Sequence, residues 1–149
     1  MIRFDLQNKK HNVTILCRAC YAIFIVSFFF GCCSTQEGKK EYFLVEGEVY
    51  KQQLIEQLVE IHSLQDLLIS KKKCSLLFDS IAALAIEARR YQIKHHVSWE
   101  VPEESEHTSS LLCAQMKRVL QIPGALACLE GCQAKAFEKI YAFEEEILS

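Results

Sequence analysis

From Tyr42 to Leu148, apolar residues recur at spacings of three and four, and the whole chain holds two prolines, Pro102 and Pro123. A period near 3.6 gathers such residues onto one stripe of a helix, so a long segment that keeps it with little Pro or Gly is restricted to amphipathic helices. Leu54, Leu58, Ile61, Leu64 and Leu68 form the first seam, over a helix expected from roughly Tyr42 to Ser70. Lys51, Glu56, Glu60 and Asp66 read as its solvated faces. Gly47 lies inside its start and is expected to fray the first turns, since Gly costs about 1 kcal/mol relative to Ala in a helix interior.

The second helix follows through Lys71-Lys72-Lys73 with no Gly or Pro to mark a break, and the lysines read as a solvated corner at a helix C-terminus, where the macrodipole favours cations. Leu77, Ile81, Leu84, Ala88 and Tyr91 make its seam. Trp99 to His107 reads as an acidic loop stopped by Pro102, after which Thr108 or Ser109 would cap a third helix bearing Leu112, Met116, Val119 and Leu120. Pro123-Gly124 ends that helix. A fourth, from about Ala125 to Leu148, places Leu126, Leu129, Ala136, Ile140, Phe143 and Ile147 on one side. The expected fold is therefore all-α, an antiparallel bundle of four helices arranged as two αα-hairpins over residues 42–149. No internal repeat is evident.

The N-terminus has a different character. Arg3, Lys9, Lys10 and Arg18 precede the uncharged, mostly apolar run Ala19 to Phe30, the layout of an export signal. Phe29-Phe30-Gly31-Cys32 follows, a small residue directly before a cysteine. This resembles the lipobox of bacterial lipoproteins, in which signal peptidase II cuts before a cysteine that carries a diacylglyceryl group. The family usually has Leu where Phe29 stands and Ala or Ser where Phe30 stands. The resemblance implies a signal peptide over 1–31, a lipidated Cys32 as first residue of the mature chain, and a membrane partner reached through that lipid. Residues 32–41 then read as a flexible tether. Ser34, close behind the cysteine, is not the Asp that commonly retains such proteins at the inner membrane, which implies the outer membrane, facing the periplasm. Two other readings of the segment are an uncleaved single-pass anchor over Val13 to Cys33 and an ordinary cleaved secretory signal.

Beyond residue 31 the chain has 13 Lys+Arg against 18 Asp+Glu, a net charge of −5. Such a balance does not suit nucleic acid, which requires a basic face. Lys71-Lys72-Lys73 alone is too short to hold a domain on a lipid surface.

Cysteine usage is the other signal. Cys33, Cys74, Cys113, Cys128 and Cys132 remain beside Cys32, and thiols in an exported domain invite disulfides. If the third and fourth helices fold back about Ile122-Pro123-Gly124, Cys113 and Cys132 are equidistant from the turn and form the candidate pair. Such a bridge would contribute about 3 kcal/mol for a loop of roughly 20 residues. Cys128 competes for Cys113, and Cys74 meets Cys128 only if the second helix docks alongside the last. The alternative is that these are buried, reduced thiols. His62, His95, His96 and His107 with Cys128 and Cys132 supply metal-ligating atoms, but no HExxH occurs, adjacent His95 and His96 point to different sides of a helix, and no metal or cofactor is expected. No GxSxG, Walker or Rossmann pattern is present, and Cys113 with His107 is not by itself a nucleophile–base pair. Glu103-Glu104 and Glu144-Glu145-Glu146 read as solvated charge. The expectation is a lipid-anchored envelope protein that acts structurally or by binding a protein, with no catalytic residues, nucleic acid or small-molecule substrate. Alternatives are a pilotin-like assembly factor for a secretion component, and a secreted helical effector.

Overall fold

The computed structural model describes residues 37–100 and 102–149, and over these the chain is all-α. Four helices follow one another: α1 (Glu37–Val59), α2 (Leu64–His95), α3 (Glu103–Leu120) and α4 (Ala125–Leu148). The expected signal peptide over 1–31, Cys32 and the first half of the expected tether lie outside the described residues. The second half, Glu37 to Glu41, is helical rather than flexible, because α1 begins five residues before Tyr42.

The break between α1 and α2 falls at Glu60 to Ser63, ahead of the lysine run. Ser63 takes an extended N-cap conformation, and its Oγ accepts from the Asp66 N–H at 3.2 Å. The Asp66 carboxylate accepts from the Ser63 N–H at 2.9 Å and the His62 N–H at 3.1 Å. This reciprocal capping box satisfies donors that a helix start otherwise leaves unpaired, and the hydrogen bonds from Ser63 and His62 hold the Asp66 carboxyl below its ordinary value. Lys71, Lys72 and Lys73 therefore sit within α2 and not at a corner, and Leu68 lies on α2's exposed side instead of in the α1 seam.

Helix α2 ends at His96, whose left-handed φ of 51° lets its N–H reach the carbonyls of Gln92 and Ile93. Helix α3 starts directly after Pro102 and needs no Thr108 or Ser109 cap. Glu103, Glu104 and Glu106 occupy its first turn, where the macrodipole favours negative charge. Gly124, at φ 83°, opens α4, and a Cβ there would lie 3.1 Å from Leu64 Cδ2, so the turn requires glycine both for its backbone and for its space. Gly47 does not interrupt α1.

Packing pairs helices that are not neighbours in sequence. Helix α1 lies on α2 and on α3, α2 lies on α4, and α3 and α4 barely touch although a short turn joins them. Glu48 and Lys51 meet Ser105, and Ile61 meets Arg118, so α1 and α3 run in the same direction. Lys71 meets Cys132, Asp79 meets Lys135, and Arg90 meets Glu146, so α2 and α4 are likewise parallel. The first hairpin forms as expected, whereas the second is a splayed pair. One core spans all four helices, with Leu54, Leu58, Ile61, Leu67, Leu112, Val119 and Leu129 at its centre. A second cluster stacks Phe43 on Trp99 at 5.7 Å, with Tyr91 beside both, and ties the chain after α2 to the start of α1.

Candidate functional site

Three groups of side chains carry more chemistry than the apolar core. The first joins α1 to α3. Lys51 is 5% exposed, and its Nζ donates to Ser105 Oγ at 2.7 Å, to the Ser105 carbonyl at 3.2 Å and to Ser109 Oγ at 3.3 Å, while also contacting Glu48. Ser105 Oγ donates to Glu48 Oε1 at 2.5 Å. Burial alone would raise the Glu48 pKa, but hydrogen bonds from Lys51, Ser105 and Thr108 outweigh it and hold the carboxyl below its ordinary value. Reading Lys51 as solvated was wrong. It stands three, four and seven residues before Leu54, Ile55 and Leu58, on the buried face. At the other end of the same interface, Arg118 of α3 donates to the carbonyls of Leu58, Ile61 and Val59. Helix α1 has no basic residue in its last turn, so a cation from another helix satisfies carbonyls that a helix end leaves open. The serines, lysine and carboxylate fill one another's hydrogen-bonding capacity, which makes this group a clamp between helices.

The second group is the thiols. Because α2 docks along α4, Cys74 comes to lie near Cys128 and Cys132. All three are buried and present as thiols. Cys132 donates weakly to the Lys71 carbonyl at 3.6 Å. Burial, then the neighbouring Cys128 and Cys74, pushes the Cys132 pKa up to about 12, and burial likewise raises that of Cys74, so both stay protonated and unreactive at neutral pH. Cys113 sits half-buried on α3 against the main core. Since α3 and α4 barely touch, the symmetric hairpin that nominated Cys113 with Cys132 is not the arrangement formed.

The histidines do not converge. His95 lies against Tyr91 with the rings tilted, 4.3 Å between centroids, His96 ends α2, and His62 and His107 are exposed on different elements. Among the described residues no group of three His, Cys, Asp or Glu is placed to hold a metal ion. Glu103 and Glu104 are exposed in the first turn of α3, and Glu145 and Glu146 near the end of α4.

The third group faces outward. Leu68, Ile69 and Leu76 are 53%, 74% and 57% exposed on α2, and with Lys71, Lys72 and Ser75 they line a shallow open hollow. Ile69, Lys72 and Leu76 follow at spacings of three and four, diametrically opposite the buried Leu67 and Cys74. Of the three groups, this one is accessible to another molecule. Sequence reasoning missed it because the exposed leucines continue the same three-and-four spacing as the core.

Comparison with protein-family models, with curated proteins and with solved structures found no match.

Proposed function

We propose that this chain is an exported, lipid-anchored helical module of a bacterial envelope, acting by contact with other molecules. The observation that carries the reading is the run Ala19 to Phe30 ending in Gly31-Cys32, set immediately before a helical domain. Helix α1 begins at Glu37, so Cys33 to Gln36 are the residues between a lipid on Cys32 and the first helical residue. Five residue steps span at most about 18 Å when fully extended, which keeps the domain close to the membrane that holds the lipid. No helix among the described residues is long and apolar enough to cross a membrane, and a lipid at Cys32 supplies attachment without one. A diacylglyceryl group brings two acyl chains, enough for stable anchoring where a single chain is marginal.

The test is the intact mass of the chain expressed in a Gram-negative host, beside Cys32→Ser. The expected product begins at Cys32, carries acyl mass and is absent in the variant. A full-length, unacylated chain in both would overturn lipidation and favour the signal-anchored alternative. A product trimmed near residue 31 without acyl mass would identify a secreted domain.

A further inference from the structure

Charge is unevenly divided among the helices. Helix α2 carries six cations and three anions, whereas the remainder of residues 37–149 carries seven cations and fifteen anions. The surplus is on the outside. Lys71, Lys72, Lys73, Arg90 and Lys94 are exposed along α2, against one exposed acid, Glu87. Asp66 is engaged in the capping box, Asp79 is held between Lys135 and Lys139 of α4, and Arg90 is paired with Glu146. The large apolar residues exposed on this helix, Leu68, Ile69, Leu76 and Ile93, are interleaved with those cations.

We propose that the outward face of α2 rests on an anionic lipid surface, with Leu68, Ile69 and Leu76 entering the headgroup boundary and Lys71, Lys72 and Lys73 on the lipid phosphates. The inference rests on the membrane-tethered reading above, and three features select a lipid surface as the occupant. The face is a single convex helix ridge with a shallow hollow, which a deformable fluid surface follows. Lys72 stands between Ile69 and Leu76 on the ridge, with Lys71 and Lys73 on its two flanks, the Lys71 side chain beside Gly131 of α4; long exposed stems of this kind let an ammonium reach phosphate while the aliphatic side chains enter the apolar boundary. The acidic remainder of the domain is repelled by the same surface, which leaves α2 as the side that faces it. The start of α1 lies at the other end of α2 from this patch, where Phe43 packs against Tyr91. Tyr91 and Leu68 are about 35 Å apart along α2 at 1.5 Å per residue, so a lipid attached ahead of α1 and the α2 patch are two separate attachments, and the domain lies flat instead of standing on its tether. Three lysines are too few to anchor a domain alone; with three aliphatic residues and a covalent lipid they need only orient it.

The experiment uses the full chain with Ile69→Trp, mixed with vesicles of phosphatidylcholine alone or with phosphatidylglycerol, brominated on the acyl chains. Trp99 is 5% exposed in the aromatic cluster, so the unsubstituted chain reports the background. The proposal expects emission from the indole introduced at position 69 to fall by about half on anionic vesicles, less at high salt, and to recover in the Lys71→Gln/Lys72→Gln/Lys73→Gln variant, which keeps its helical circular dichroism. No quenching on anionic vesicles overturns it and leaves the face to a protein partner; equal quenching on neutral vesicles also overturns it. Flotation of the same samples separates the two readings. Flotation with both vesicle types and an unquenched indole at position 69 keeps the tether and removes the face; binding and quenching on anionic vesicles only keeps the face and removes the tether.

Discussion

The two parallel helix pairs are held by different physics. Between α2 and α4 the contact is apolar, with Leu67, Cys74, Cys128, Leu129 and Cys132 buried at its centre and ion pairs confined to its edges. Between α1 and α3 a buried ammonium, two serines and a carboxylate sit at one end and a guanidinium on three carbonyls at the other. Apolar burial stabilises by area and is indifferent to small sliding. Directional hydrogen bonds to buried polar groups tolerate little displacement, because each misplaced partner leaves a desolvated group unsatisfied. The α2–α4 pair therefore rests on apolar burial at its centre, whereas the polar groups of the α1–α3 pair, added to buried Leu54, Leu58, Leu112 and Val119, fix which residue of α3 stands beside which residue of α1.

Substitutions test that division. Leu129→Ala removes a fully buried side chain from the apolar pair and is expected to cost about 4 kcal/mol in urea unfolding; a value under about 1 kcal/mol would show that the α2–α4 contact does not rest on apolar burial. Lys51→Met, which keeps the volume of the stem, leaves Glu48 and Ser105 facing no cation and is expected to cost about 3 kcal/mol. The pair Lys51→Met/Glu48→Leu should recover most of that loss. If the double variant stays as unstable as the single one, the clamp contributes stability as well as register. Arg118→Gln is expected to cost about 2 kcal/mol, in line with hydrogen bonds to a charged group. Its sharper signature is faster amide exchange confined to the last turn of α1, with the start of α2 unchanged. Ser63→Ala removes the α2 cap for about 1 kcal/mol, and since that cap begins a member of the α2–α4 pair, this interface should loosen more than the α1–α3 one.

The smallest expected effect is that of pH. Glu48 and Asp79 have folded pKa values below their unfolded ones, Glu48 because the hydrogen bonds of the clamp outweigh burial and Asp79 chiefly through Lys139. Each contributes stability that is fully present above the unfolded pKa, near 4 for such carboxyls, and is lost as pH falls through the lower folded value. Glu48→Gln should flatten the α1–α3 share of the acid limb and Asp79→Asn the α2–α4 share. An acid limb unchanged in both variants would place the loss elsewhere.

Much of this fold was legible because helical period, proline and turn glycine act within a few residues of one another. All four helices were anticipated, and the turn at Pro123-Gly124 fell where read. The α1–α2 boundary was less legible because no Gly or Pro marks it, and the signal is Ser63 with Asp66 three residues on. The start of α3 was missed because Pro102 and the glutamates after it read as an acidic loop, whereas Glu103, Glu104 and Glu106 are attracted to a helix N-terminus. The clamp and the thiol group were less accessible, since both depend on which non-neighbouring helices pair. Even so, the place of Lys51 on the Leu54–Leu58 face was visible in its spacing.

The pairing of α1 with α3 and of α2 with α4 also governs when the fold can form. The contacts that join them link residues 54, 57, 61 and 56 positions apart: Lys51 to Ser105, Ile61 to Arg118, Lys71 to Cys132, and Asp79 to Lys135. A ribosome or an export channel releasing the chain from its N-terminus delivers α1 and α2 with one apolar side each still bare, and those sides stay bare until about sixty further residues have emerged. During that interval the first hairpin is a client for any holding factor that binds apolar surface.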